Sequence, residues 1–250
     1  MENNNNQLII FGRNAVSEAL KAKHSVNTLY ILKDSKHTEL IAAAKQAGAV
    51  IKEVTAEKLN KLADASGVER HGGIALALAS IEYATVEEML IDSPFIMIAD
   101  EIEDPHNLGA LIRTAEAAGV NGLIIPKRRS AAISGAVYAA SAGAAAHLKI
   151  ARVTNITDTI KALKKHNIWI YGAEADGEDY QSVSFGNGGV CLIIGSEGKG
   201  LSRLVRENCD FVISLPMYGK INSLNASVSG GILMYEIAKQ RNSFQKKGGG

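Results

Sequence analysis

Residues 215–240 read LPMYGKINSLNASVSGGILMYEIAKQ. The stretch opens as the end of a strand and closes as a helix. Leu224, Val228, Ile232 and Tyr235 recur at helical spacing, which predicts a helix with this stripe buried. Asn222, Ser223, Asn225, Ser227 and Ser229 crowd its beginning. One capping side chain is enough to start a helix, and buried polar groups need partners. The surplus amides and hydroxyls therefore face either solvent or a ligand.

The segments before it repeat the strand-then-helix pattern. FIMIAD (95–100), GLIIP (122–126), LKIARV (148–153), IWIYGAEA (168–175), GGVCLIIG (188–195) and FVISLP (211–216) read as strands. Between them lie NLGALIRTAEAAG, a small-residue segment at 131–146, TNITDTIKALKKHN and GLSRLVRENC, read as helices. Apolar strands with little alternation, separated by helices, predict a parallel sheet covered on both faces. Residues 7–79 form a second α/β unit of four strands, with Asn14 and Thr55 as candidate helix caps. The intervening SIEYATVEEMLIDSP (80–94) reads as a linker, and residues 1–6 and 242–250 as tails. The expected organisation is thus an α/β domain at 7–79 and a larger one at 95–241.

Composition bounds the function. The chain has 250 residues, is 46% hydrophobic and 21% charged, and carries a net charge of +1. Residues 1–80 hold 10 basic and 8 acidic side chains against 17 and 18 in the rest, so any nucleic-acid surface is local. Two cysteines without paired spacing exclude a zinc-finger or disulfide framework and suit a reducing compartment. The six histidines, His71, His106 and His147 among them, show no metal-ligand spacing. No signal peptide or membrane span is recognisable, so a cytoplasmic protein is expected.

In open parallel sheets, ligands bind beyond the carboxyl ends of the strands. Three such ends are unusual here: EIEDPHNLGALIRTAEAAG after 95–100, SEGKGL after the strand ending at Gly195, and MYGKINSLNAS after 211–216. In the first, Asn107 is a candidate helix cap, and Arg113 points away from the apolar stripe of Leu108, Leu111, Ile112 and Ala115. Read alone, Arg113 is a solvated arginine that could pair with Glu116. In the second, glycines permit close backbone approach to a ligand, but the pattern is neither a dinucleotide fingerprint nor a phosphate-binding P-loop. A plain strand-to-helix turn with Glu197 as an N-terminal acid accounts for it equally well.

Taken together, DPHNLGALIRTAEAAG, IIGSEGKGL and LPMYGKINSLNASVSGGI resemble, in order, the three signature motifs of the SpoU (TrmH-like) RNA 2′-O-methyltransferases. FGRNAVSEAL and HGGIALA resemble the ribosomal-protein-like RNA-binding domain of the branch that methylates a guanosine ribose in 23S ribosomal RNA. The resemblance spans residues 7 to 241. It implies a C-terminal SPOUT domain with a trefoil knot, S-adenosylmethionine as cofactor, and a homodimer whose sites are completed across the interface. Carried onto this sequence, the catalytic set is Arg113, Asn107, Glu197, Ser223 and Asn225. The cofactor set is Gly195, Ser196, Gly198, Leu215, Met217 and Leu224. Arg13, Asn14, Arg70 and Arg128 become candidate RNA contacts, and no metal is implied. Ala226, where valine is commoner, and Asn222, at a variable position, are the only departures. A transfer-RNA enzyme, an antibiotic-resistance methyltransferase, an inactive RNA-binding protein and a generic nucleotide-binding protein are the rival readings.

Overall fold

Why the strands and helices fall where they do is read here from a computed structural model, which describes residues 8–33, 35–79, 82–186 and 188–247, with backbone alone for the last five. The tail expected at 1–6 lies outside the described residues, as do residues 248–250 of the tail expected at 242–250. The chain divides into two compact units, residues 1–82 with 132–147, and residues 83–131 with 148–250.

The first unit has four strands, β1 (Ile9–Phe11), β2 (Val26–Leu32), β3 (Val50–Val54) and β4 (Ile74–Leu78). Their order is β1-β4-β2-β3, with β4 antiparallel to both its neighbours and β2 parallel to β3. Central strand β4 is apolar throughout (IALAL) and wholly buried, as a strand covered on both faces must be. Helices α1 (Arg13–Lys21), α2 (Thr38–Gln46) and α3 (Ala56–Ala65) connect the strands. Thr55 caps α3 as expected, its hydroxyl accepting from Lys58 N–H. Asn14 does not cap α1: the N-cap is Gly12, without a side-chain bond, and Asn14 sits exposed inside the first turn.

A fourth helix of this unit, α5 (Gly135–Ala140), comes from within the stretch read as part of the larger domain. A Cβ at Gly135 would lie 2.5 Å from the Ile9 carbonyl, so only glycine permits this approach to β1. His147 and Glu18 meet at 2.8 Å, and His24 Nε2 lies 3.1 Å from the Ala146 carbonyl. Strand and helix periodicity cannot say which sheet a small-residue helix will cover, and here it covers the four-stranded one.

The second unit is a six-stranded, wholly parallel sheet of β5 (Phe95–Ala99), β6 (Gly122–Pro126), β7 (Ile150–Val153), β8 (Ile168–Asp179), β9 (Gly189–Ile194) and β10 (Phe211–Ser214). The order is β10-β8-β9-β5-β6-β7. Helices α4 (Pro105–Ala117), α6 (Ile156–Lys164), α7 (Arg203–Glu207) and α8 (Ala226–Lys247) join its strands and close the chain. Ile96, Ile98, Ile124, Ile160, Leu163, Ile170 and Ile193 form one buried cluster. Each such side chain contributes about 1.5–3 kcal/mol on burial. Residues 83–94, read as linker, are packed into this unit: Ala84 N–H donates to the Ile150 carbonyl and Met89 is fully buried beside Gly122. Helix α8 continues to Lys247, past the boundary expected at 241.

The stripe expected to bury α8 is the exposed one. Leu224, Val228, Ile232 and Tyr235 are 42, 48, 40 and 55% exposed. The core side is instead Gly230, Leu233, Met234 and Ile237. Gly230 brings α8 so close to α4 that a Cβ would meet Leu111 at 2.5 Å. Both faces of α8 are apolar, and periodicity alone does not choose between them.

Candidate active site

The carboxyl ends of β5, β9 and β10 carry three turns that meet in space. After β5, Asp104 caps α4, its carboxylate accepting from the N–H groups of His106 and Asn107, with Pro105 at the first helical position. Asn107 is therefore not the cap expected from sequence. Relieved of that role, its side chain reaches out of the first turn: Nδ2 donates to Glu197 Oε1 at 3.1 Å and Oδ1 accepts from Asn225 Nδ2 at 2.8 Å.

After β9, the chain doubles back tightly. Ser196 N–H donates to the Gly200 carbonyl and Gly200 N–H returns a bond to the Ser196 carbonyl, at 3.2 and 2.9 Å. A Cβ on Gly195 would lie 2.3 Å from the Gly200 backbone, so the turn closes only on glycine. Glu197 stands at its tip, and its Oε1 accepts from Asn107, from Asn225 and from Ala226 N–H.

After β10, Asn225 caps α8. Its Oδ1 accepts from Ser227 N–H, Ser227 Oγ and Val228 N–H. These donors fix the amide's orientation and leave Nδ2 to bridge Glu197 and Asn107. One residue thus serves both as the cap and as a site group, and the surplus polar side chains Asn222, Ser223 and Ser229 line the cavity between these turns.

A cavity of about 910 Å³ opens between these turns, the size of a site for a nucleotide-like molecule. Ile194, Ile213, Leu215, Met217, Leu224 and Leu233 give it apolar walls. Gly195, Ser196, Gly198, Ser223 and Asn225 line it as well, so the structure gathers every expected cofactor residue together with Ser223, Glu197 and Asn225. Asn107 borders an adjoining recess that shares Ser196 and Glu197. Ser196 Oγ is buried without a hydrogen-bond partner among the described residues.

Arg113 lies apart. It is exposed on α4, outside the cavity lining, and no ion pair to Glu116 forms. Its neighbour Thr114 packs on Gly231 of α8, beside the exposed apolar stripe. Among the RNA candidates, Arg13, exposed at the start of α1, and Arg70, exposed in the loop before β4, lie on segments of the first unit that converge: a Cβ on Gly72 would sit 3.6 Å from Gly12 Cα. Arg13 lies 3.9 Å from Glu39. Arg128 is exposed in the turn after β6, beside Arg129, which pairs with Glu101.

Two kinds of chemistry find no support. Burial pushes the Cys209 thiol up to about 12 and raises that of Cys191 as well, so neither is a ready thiolate. Among the described residues no group of three His, Cys, Asp or Glu side chains could hold a metal ion.

Comparison with known proteins agrees with this geometry. The SpoU rRNA Methylase family model matches residues 94–235, and the model for RNA 2′-O ribose methyltransferase substrate binding matches residues 9–84. A putative TrmH family tRNA/rRNA methyltransferase of Bacillus subtilis, YacO, is 41% identical over 243 residues, covering 93% of this chain and 96% of its own. The chain belongs to the SpoU (TrmH) family of RNA methyltransferases. Among solved structures of similar fold, the S-adenosylmethionine-bound rRNA methyltransferase of Sinorhizobium meliloti superimposes with a TM-score of 0.80 at 22% identity, over 93% of this chain and 87% of its own. The TrmH/SpoU tRNA modifying enzyme of A. aeolicus gives 0.54 at 28% identity, over 64% and 82%.

For a SpoU methyltransferase, sequence reasoning missed three acidic side chains. Asp104 could have been found, since Asp-Pro is a helix-start signal. Asp100, 4% exposed at the end of β5, accepts from Ser202 N–H at 3.5 Å. Burial holds its carboxyl above the ordinary value, and the nearby Glu101 charge adds to this. Glu174, on a cavity wall, carries no local sequence signal at all.

Proposed function

We propose that this protein transfers a methyl group from S-adenosylmethionine to the 2′-hydroxyl of a guanosine ribose in 23S ribosomal RNA. The observation that carries this reading is the Asn107–Glu197–Asn225 network at the mouth of a cavity of about 910 Å³. The residues fit the cofactor: apolar walls at Leu215, Met217 and Leu224 suit an adenine, and the unpartnered Ser196 Oγ needs a ligand hydrogen bond. When bound, S-adenosylmethionine supplies the activated methyl group, so the protein's task is position and electrostatics. The threaded, knotted path implied by the resemblance belongs to the same reading.

Glu197 holds the amides of Asn107 and Asn225 in one orientation, and these amides would orient the ribose hydroxyl. Ser223 lines the same cavity and would support the ribose from below. Arg113 would clamp a phosphate and stabilise the developing oxyanion. Arginine is too weak an acid to serve as the base, so the hydroxyl proton leaves to the phosphate or to water.

Arg113 reaches a cavity most simply in a homodimer. The exposed stripe of Val228, Ile232 and Tyr235, beside α4, supports α8 as the dimer face, and Arg113 would then complete the site of the opposite protomer. Arg13, Asn14 and Arg70 would contact RNA from the first unit, and Arg128 from the second. The ribosomal substrate is supported by extent of likeness: the rRNA enzyme of S. meliloti matches 93% of this chain, the tRNA enzyme of A. aeolicus 64%. Among the described residues no helix is long and apolar enough to cross a membrane, and free cysteines at 191 and 209 suit the cytoplasm.

The test is methyl transfer from labelled S-adenosylmethionine to unmodified 23S RNA, beside a transfer-RNA pool and Arg113→Ala. One 2′-O-methylguanosine in 23S RNA, absent with Arg113→Ala, is the expected result. Label on transfer RNA alone would overturn the substrate and keep the chemistry.

A further inference from the structure

Strand β8 does not run evenly beside β10. Val212 pairs with Gly172, but the next residue, Ile213, pairs with Glu178. Residues 173–177 thus bulge out of register with β10 at the carboxyl end of the sheet, where the cavity lies, while Ala173 still pairs with Ile194 of β9. The bulge is fastened at three points. Asp176 makes a two-pronged ion pair with Arg206 at 2.7 and 3.0 Å, and Ser214 Oγ donates to the Gly177 carbonyl at 2.8 Å. The third point is Glu174, whose Oε1 accepts from Leu201 N–H at 2.6 Å.

Asp176 and Arg206 are not part of the cavity lining, whereas Glu174 is. The carboxylate is seated against Gly200, where a Cβ would fall 2.5 and 2.6 Å from its two oxygens. It therefore backs the tight turn at 196–200 that presents Ser196 and Glu197. Only Oε1 has a partner among the described residues. A carboxylate carries about four acceptor positions, and one left unused in a cavity wall is an acceptor for a bound donor.

We infer that Glu174 is a specificity-determining residue of the cofactor cavity, which holds the 196–201 turn through Leu201 N–H and accepts a hydrogen bond from a donor group of the bound cofactor. This rests on the cofactor assignment above. The donor is a hydroxyl or an ammonium: S-adenosylmethionine offers both, on its ribose and on its amino-acid end. A carboxylate that accepts from ribose hydroxyls is a recurrent device in nucleotide sites.

The test is calorimetric titration of the full chain with S-adenosylmethionine and with 5′-methylthioadenosine, which keeps the ribose and lacks the ammonium. Glu174→Gln retains a carbonyl oxygen for Leu201 N–H, so its melting temperature without ligand should stay at the wild-type value. Its affinity for S-adenosylmethionine should fall about ten- to a hundredfold, the range expected for a lost charge-assisted bond. An equal fall with 5′-methylthioadenosine places the bond on the ribose, and an unchanged affinity places it on the ammonium. Glu174→Ala should lose both affinity and melting temperature. Glu174→Gln binding S-adenosylmethionine within about twofold of wild type would leave Glu174 a purely structural brace and overturn the inference. A wild-type protein that binds no S-adenosylmethionine would overturn the cofactor assignment itself, and this inference with it.

Discussion

Asn225 donates from Nδ2 to Asn107 Oδ1 at 2.8 Å, joining the beginnings of two helices 118 residues apart. The same Asn225 caps α8 through Oδ1. The two duties can be separated by substitution. Asn225→Ser keeps a capping oxygen and removes the bridging amide, so stability should fall by less than the ~1 kcal/mol typical of a lost cap. Methyl transfer should drop at least tenfold, because Asn107 and Glu197 lose the group that aligns them. Asn225→Ala should lose both. Thermal melts beside transfer assays decide this, and full activity in Asn225→Ser would remove Asn225 from the site.

Glu197 Oε1 receives Asn107, Asn225 and Ala226 N–H. Glu197→Gln leaves a carbonyl acceptor but removes the charge, and hydrogen bonds to a charged group are worth about 1.5–3 kcal/mol. Turnover should therefore fall by roughly ten- to a hundredfold while S-adenosylmethionine affinity changes little. Single-turnover rates beside cofactor titration separate the two, and a fall in affinity alone would assign Glu197 to cofactor binding.

How much of this was legible in the sequence depends on what each feature rests on. Strands such as FIMIAD and GLIIP announce themselves, because runs buried on both faces are apolar end to end. The candidate residues Asn107, Glu197, Ser223 and Asn225 come from three long motifs, and no spacing rule would place residues 107, 197 and 225 together. Helix α8 misled because it is apolar on two faces, and burial of Gly230 rather than Val228 is decided by close approach to Leu111. Glu174 reaches the cavity through a register break between β8 and β10, a property of strand pairing that leaves no mark on either strand's own residues.

The exposed stripe on α8 makes a distinct prediction. Val228 and Ile232 are 48 and 40% exposed, and a charge placed in the centre of an apolar interface is strongly unfavourable. If α8 forms the proposed dimer face, Ile232→Glu should shift the protein from dimer to monomer in sedimentation and abolish transfer while leaving its circular dichroism unchanged. Arg113→Ala and Asn225→Ala protomers, mixed and allowed to exchange, should regain activity that neither has alone. The mixed dimer then carries one site with an intact cavity and an intact Arg113 from the other protomer. No recovery would place Arg113 at the cavity of its own chain.

Asp100 gives the pH dependence. Its carboxyl is held above the ordinary value chiefly by burial, with the Glu101 charge adding to it. The folded state therefore binds the proton more tightly than the unfolded chain. Stability from this group is fully present below the unfolded carboxyl value and is lost as pH rises through the folded one. Once ionised, the buried Asp100 is a net cost, offset in part by the Ser202 N–H it accepts. Asp100→Asn keeps an acceptor for that N–H without the charge. It should melt at or above the wild-type temperature at pH 7, and the difference should shrink as pH is lowered through the acid range. A variant that melts well below wild type at pH 7 would mean that the charge itself, and not merely an acceptor, holds the end of β5 to the turn before α7.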